Sequence, residues 1–173
     1  MSEPYGKSNK RRNSVFALQF SLNAAKDFHK KLCELTAKVD AIQNDDDLLL
    51  KQDPDEWKET VLLRRAIWIA LIIEVGRLFD TYESGSKKVI SFKKVFRNSS
   101  LERTINAIHG EAIIAKILNT RNTFTAHIAE QQNNILSAEE ICNSNLPELL
   151  NRLDGPLTAF MLWFTQNKKW EEL

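Results

Sequence analysis

Apolar residues recur every three or four positions in the first part of the chain: Val15, Phe16, Leu18, Leu22, Phe28, Leu32 and Leu35. That spacing predicts an amphipathic helix opening at Asn13 or Ser14, behind a flexible tail of residues 1–12. "QNDDDLLLKQ" (43–52) reads as a loop, because its adjacent aspartates repel. "DPDEW" is the clearest helix start, with Asp53 as cap, Pro54 at the first helical position and Glu56 completing a capping box. This helix should run to about Tyr82. Its middle, "VLLRRAIWIALIIEVGRLF", is apolar on nearly every side, which predicts the most buried helix of a bundle.

Further along, "TYESGSKK" reads as a loop and "SFKKVF" as a short helix. Ser99 and Glu102 have capping-box spacing, and His109-Gly110 should interrupt the helix they open. "EAIIAKILNTRNTFTAHI" resumes as helix with Ile113, Ile114, Ile117, Leu118 and Phe124 facing inward. "EQQNNIL" reads as loop, "SAEE" and "NLPE" as helix starts, and Gly155-Pro156 as a break or kink. The apolar "LTAFMLWFTQ" either finishes the core or forms a subunit contact. The sum is an all-α, single-domain helical bundle over residues 13–173, with four to five main helices plus short helical pieces.

Composition agrees with that class. Hydrophobic residues make up 43 % and charged residues 27 % of the 173 positions, and only five glycines and four prolines occur. The net charge of +1 excludes a generally basic nucleic-acid binder, but the charge is uneven. Asp40, Asp45, Asp46, Asp47, Asp53, Asp55, Glu56 and Glu59 cluster against two lysines, whereas Lys87, Lys88, Lys93, Lys94, Arg97 and Arg103 face Glu102 alone. Such asymmetry can draw an anion to one surface. Two isolated cysteines, Cys33 and Cys142, fit a reducing compartment. The polar, basic N-terminus has no apolar signal core, and "AIWIALII" falls far short of the ~20 residues a membrane span needs. A cytoplasmic location without membrane contact is expected.

Several chemistries are missing their motifs. No phosphate-binding glycine loop, HExxH, GxSxG or Glu-x-x-His pair occurs, and His29, His109 and His127 lack partners at zinc spacing. His109 reads as a helix-junction residue and His29 as having no special role. The remaining cluster is "NTRNTFTAHIAE" (119–130), with Arg121, Asn122 and His127 on one late helix. "RNTFTAH" resembles the signature of the HEPN superfamily (higher eukaryotes and prokaryotes nucleotide-binding). There an arginine and a polar residue precede a histidine four to six positions on. "GRLFDTYE" and the "SFKKVF" piece after it look like the abortive-infection, AbiU-type branch.

The resemblance implies a compact helical domain, often a homodimer, acting as a metal-independent endoribonuclease in phage defence or a toxin–antitoxin system. It also implies catalytic roles for Arg121, Asn122 and His127, no cofactor, an RNA substrate, and an antitoxin or regulatory protein as a further partner. Some members only bind RNA, a nucleotide or a protein. The residue types suit RNA cleavage. Imidazole transfers protons near neutral pH, guanidinium grips two phosphate oxygens, and an amide can orient either. Glu74 and Asp80 are candidate orienting acids for Arg121 or His127, or pairing partners for Arg77, Arg64 or Arg65. Lys93, Lys94 and Arg97 are candidate RNA-backbone contacts. Positions six apart on an ideal helix differ by about 120° with ~9 Å of rise. Arg121 and His127 therefore meet only if the helix ends early, if arginine reaches around, or if a two-fold pairs two copies. The last is favoured.

Overall fold

The computed structural model describes residues 5–81, 83–84, 87–88, 90–126 and 135–166, and its spine is the 39-residue helix α1 (Tyr5–Gln43). This helix starts at Tyr5, ahead of the expected Asn13. The early turns have a tertiary anchor: the Arg12 guanidinium lies 5.4 Å from the ring centres of both Phe16 and Phe164. The buried face of α1 is Val15, Leu18, Leu22, Ala25, Leu32, Leu35 and Val39. Phe16 lies off that face and is exposed, contrary to its expected inward place.

The aspartate run also departs from expectation. Asp45 accepts a hydrogen bond from the Leu48 amide and caps a short helix, α2 (Asp46–Lys51), with Asp46 and Asp47 in its first turn. Carboxylates there meet the positive end of the helix dipole, which offsets their mutual repulsion. Asp53 caps α3 (Pro54–Phe79) as expected, accepting from the Asp55 and Glu56 amides. Only the C-terminal half of α3 is buried, through Leu71, Ile72, Val75, Gly76, Leu78 and Phe79. Leu62 and Leu63 are exposed, so α3 is not a helix buried on all sides.

After α3 a two-residue antiparallel ladder, β1 (Glu83–Ser84) with β2 (Lys87–Lys88), occupies the expected loop. One turn of helix, α4 (Phe92–Val95), follows. Ser99 does not cap α5 (Glu102–His109). Its hydroxyl donates to the Phe96 carbonyl, while Glu102 accepts from the amide of Asn98. Asn98 sits at φ 63°, a left-handed conformation that asparagine tolerates. The chain breaks at His109-Gly110 as expected, and α6 (Ala112–Ala126) buries Ile113, Ile114 and Ile117.

A reciprocal capping box between Ser137 and Glu140 opens α7 (Ala138–Cys142). Then come α8 (Leu146–Arg152), with Pro147 in its first turn, and α9 (Asp154–Gln166). Gly155-Pro156 lies inside the first turn of α9, so the break falls one step earlier, at Leu153. The last helix finishes the core on one face. Leu157 and Phe160 are core, while Met161 and Leu162 face out. The helices pack around one core cluster, an all-α bundle as the patterning predicts. No helix among the described residues is long and apolar enough to cross a membrane.

Phe96 joins distant parts of that core. Its ring stacks on Phe92 at 5.9 Å and meets Phe160 of α9 edge-on at 6.5 Å, all three buried. Phe96→Ala is expected to lower the unfolding free energy by about 3–5 kcal/mol, measured as a lower urea midpoint at unchanged slope. A loss under about 1 kcal/mol would show that the rings do not tie α4 to α9.

Candidate functional site

The C-terminal end of α3 and the third turn of α6 meet at Arg121. Its Nη1 lies 3.1 Å from Asp80 Oδ2, and its Nη2 donates to Asn122 Oδ1 at 3.1 Å. Both members of the ion pair are largely buried, with side-chain exposures of 17 % and 15 %. Asp80 is the C-cap of α3 in extended conformation, which turns its carboxylate toward α6. One turn back, Gly76 leaves room for the arginine. A Cβ there would stand 2.5 Å from Arg121 Cδ and 3.1 Å from Nη1. Gly76 and Asp80 are four apart and share one face of the helix, so bare backbone and carboxylate together form a seat for the guanidinium.

The end of α6 is held from a second direction. Thr120, fully buried, accepts from the Leu136 amide at 3.1 Å, and Trp68 Nε1 donates to the Leu136 carbonyl at 3.1 Å. Both backbone groups of Leu136 are thereby satisfied where the chain returns beside α3 and α6. Arg64 adds an ion pair to Glu139 at 3.1 Å. The Glu139 backbone amide first, and then the Ser137 hydroxyl and that arginine, hold the Glu139 carboxyl below its usual range, against the effect of burial.

Of the expected catalytic residues, Arg121 and Asn122 are thus brought together. His127 lies outside the described residues. Of the two candidate acids, Asp80 engages Arg121 and Glu74 does not. Glu74 sits two residues from Gly76, on the other side of α3, and pairs with Arg77 at 3.0 Å. Its Oε2 is buried with no hydrogen-bond partner among the described residues.

The candidate RNA contacts fall on and after α4. Lys93 approaches His109, whose ring lies 6.1 Å from that of Phe79, next to Asp80. Lys94 and Arg97 both have interaction partners of their own. Burial first, and then the Lys93 ammonium, push the pKa of His109 down, with the Phe79 carbonyl opposing them. His109 closes α5 as the expected junction residue, and its Nε2 is buried with no hydrogen-bond partner among the described residues.

A shallow groove of about 420 Å³, lined by Asp55, Lys58, Glu59, Leu62, Leu63 and Ala66, lies on the first half of α3. It is roughly 30 Å along the helix axis from Asp80 and forms no part of this site. No group of three or more His, Cys, Asp or Glu side chains that could hold a metal occurs among the described residues.

No motif in the sequence marks Gly76, Thr120, Trp68 or Leu136 as part of a site. Gly76 did leave a signal, since an isolated glycine inside a long apolar helix marks a close approach. No known protein family, curated protein or solved structure matches this chain.

Two measurements test the seat and its surroundings. Gly76→Ala is expected to destabilise the protein by about 1–3 kcal/mol, because the arginine must move off its acid. In an Arg121→Ala background the same change should turn stabilising by up to about 1 kcal/mol, through helix propensity alone. An unchanged sign in both backgrounds would contradict the close packing. His109 and His29 both have pKa values depressed below the ordinary 6.5, chiefly by burial. The unfolded chain therefore binds protons first as pH drops. Stability should be full above 6.5 and fall as pH passes below it toward the depressed values. His109→Gln should shrink that slope in urea titrations between about pH 7 and 5. An unaltered slope would remove His109 from this role.

Proposed function

We propose that this protein is a metal-independent endoribonuclease of HEPN type, acting as a homodimer in phage defence or a toxin–antitoxin system. The observation that carries the reading is the Arg121 guanidinium, seated on Gly76 and gripped by Asp80 and Asn122 beside the motif histidine in sequence. An arginine fixed by packing and second contacts presents its donors without ordering cost when a phosphodiester arrives.

Cleavage without metal needs three things: removal of the ribose 2′-hydroxyl proton, stabilisation of the extra charge on phosphorus, and protonation of the leaving 5′-oxygen. Arg121 stabilises the charge and Asn122 holds it in register. His127 moves protons, and a second copy across a two-fold supplies the second imidazole. Apolar side chains at the surface support a second copy: Phe20 is 74 % and Leu162 57 % exposed. In this reading RNA is the substrate, and an antitoxin or regulatory protein is a further candidate partner.

The second reading is a binding module that docks RNA, a nucleotide or a protein without turnover. It is favoured by the same ion pair, since Asp80 neutralises much of the charge a phosphate would meet. Incubation of the purified protein with labelled RNA in EDTA separates the two. The nuclease loses at least about 100-fold in cleavage rate on His127→Ala, with helix content and dimer intact. Wild-type cleavage by that variant would overturn the enzyme, and retention of intact RNA by the unaltered protein would favour the module.

A further inference from the structure

The outward side of α3 is apolar in its middle and carries charge of opposite sign at its two ends. At about 100° per residue, Leu62, Leu63, Ala66, Ile69, Ala70 and Ile73 fall within about 60° of one line along the helix. The core face, built on Leu71, Ile72, Val75, Leu78 and Phe79, points the opposite way. Leu62 is 55 %, Leu63 44 % and Ile73 46 % exposed. Ala66 is exposed, and Ile69 and Ala70 are half-buried. About three turns of helix thus present aliphatic side chains outward.

The same line runs on into charges. Asp55 and Glu59 lie on it toward the helix start and Arg77 toward its end, and all three are exposed. Arg77 pairs with Glu74 through Nη1, yet its side chain is still 60 % exposed. The shallow groove of α3 spans the two acids and the two leucines, while Ile73 and Arg77 stand out from the other half of the helix.

We propose that this face is a self-association surface, on which a second copy of the chain lays its own α3 antiparallel. The two-fold axis passes between Ala66 and Ala70, where small side chains let the helices approach closely. Positions equally far from that axis then meet. Ile73 of each copy enters the other's groove beside Leu62 and Leu63. Arg77 meets Glu59, with Asp55 one turn beyond. The two-fold repeats each contact, so both ends of the seam close with carboxylate against guanidinium. A parallel pair would set Asp55, Glu59 and Arg77 each against its own copy, and like charges reject that arrangement. Burial of the aliphatic side chains supplies affinity, and the charges supply direction and register. Lys58 and Arg65, both exposed, lie about 80–100° off the line, at the edge of the contact where water screens them.

This contact goes beyond the nuclease reading. Asp80 stands about 18 Å along α3 from the axis, so the Arg121 sites of the two copies are separated by roughly 36 Å along the helices. Where a nuclease dimer also forms, the α3 contact joins one dimer to another.

The test is the mass of the full chain in solution, by sedimentation equilibrium over a concentration series. Ile73→Asp is expected to halve the mass of the assembly with helix content retained, since the side chain lies outside the core. Arg77→Glu and Glu59→Arg should each weaken association at least about 10-fold, and the two together in one chain should regain most of that loss. In a Cys33→Ser, Cys142→Ser background, Glu59→Cys chains mixed with Arg77→Cys chains should form disulfides between unlike chains under mild oxidation, and none between like ones. A single-copy mass at every concentration, which would leave the face to another protein, would overturn the proposal. So would a mass indifferent to Ile73→Asp, no recovery in the charge-swapped variant, or links between like chains.

Discussion

The ion pair between Asp80 and Arg121, laid across the bare backbone of Gly76, is the joint on which the site depends. A guanidinium carried into a packed interface is costly unless its charge is matched and its donors are filled. Here a carboxylate from the cap of α3 and an amide from the next residue of α6 meet both demands. The arginine stem needs space as well, and a helix normally offers none at its surface. Gly76 provides it, at a helix-propensity cost of about 1 kcal/mol that the joint must offset. Charge, space and direction are therefore set by two residues one turn apart on α3.

Around that joint the bundle supplies rigidity. The long α1 gives α3 and the C-terminal helices a common surface, and the Phe92, Phe96 and Phe160 rings close the core beneath α4. Leu136, hydrogen-bonded through both backbone groups, pins the returning chain to the two helices that carry Arg121 and Asp80. Two helices, one ion pair and one anchored backbone residue leave the guanidinium little freedom. That is the property a phosphate-gripping group needs, and also the property of a structural clamp. Only chemistry on a substrate separates the two.

How much of this could be read from sequence depended on whether the determining force was local. Asp53 at the start of α3, the Ser137–Glu140 capping box and the stop at His109-Gly110 are short-range features, and each appears where the residues put it. Repulsion within the aspartate run points to a loop, but Asp46 and Asp47 complement the dipole of α2, and that longer-range effect wins. Phe16 fitted the apolar period but was turned outward, where Arg12 covers it. The half-exposed α3 shows the limit of periodicity: an apolar circumference says what could be buried, not whether neighbours reach that far. Arg121 and Asn122 stood out as a motif, and Asp80 as one of two acids near it. The choice of Asp80 over Glu74 required the packing angle of α3 on α6, which no local pattern encodes. Thr120 and Leu136 meet across sixteen residues and were invisible for the same reason.

The most direct measurement is the identity of the RNA ends after incubation with the purified protein in excess EDTA. The proposed nuclease, attacking through the ribose 2′-hydroxyl with Arg121 on the phosphate, would yield fragments with a 2′,3′-cyclic phosphate and a 5′-hydroxyl, resolved by mass spectrometry. RNA that stays intact, or fragments that carry a 3′-hydroxyl and a 5′-phosphate, would contradict it.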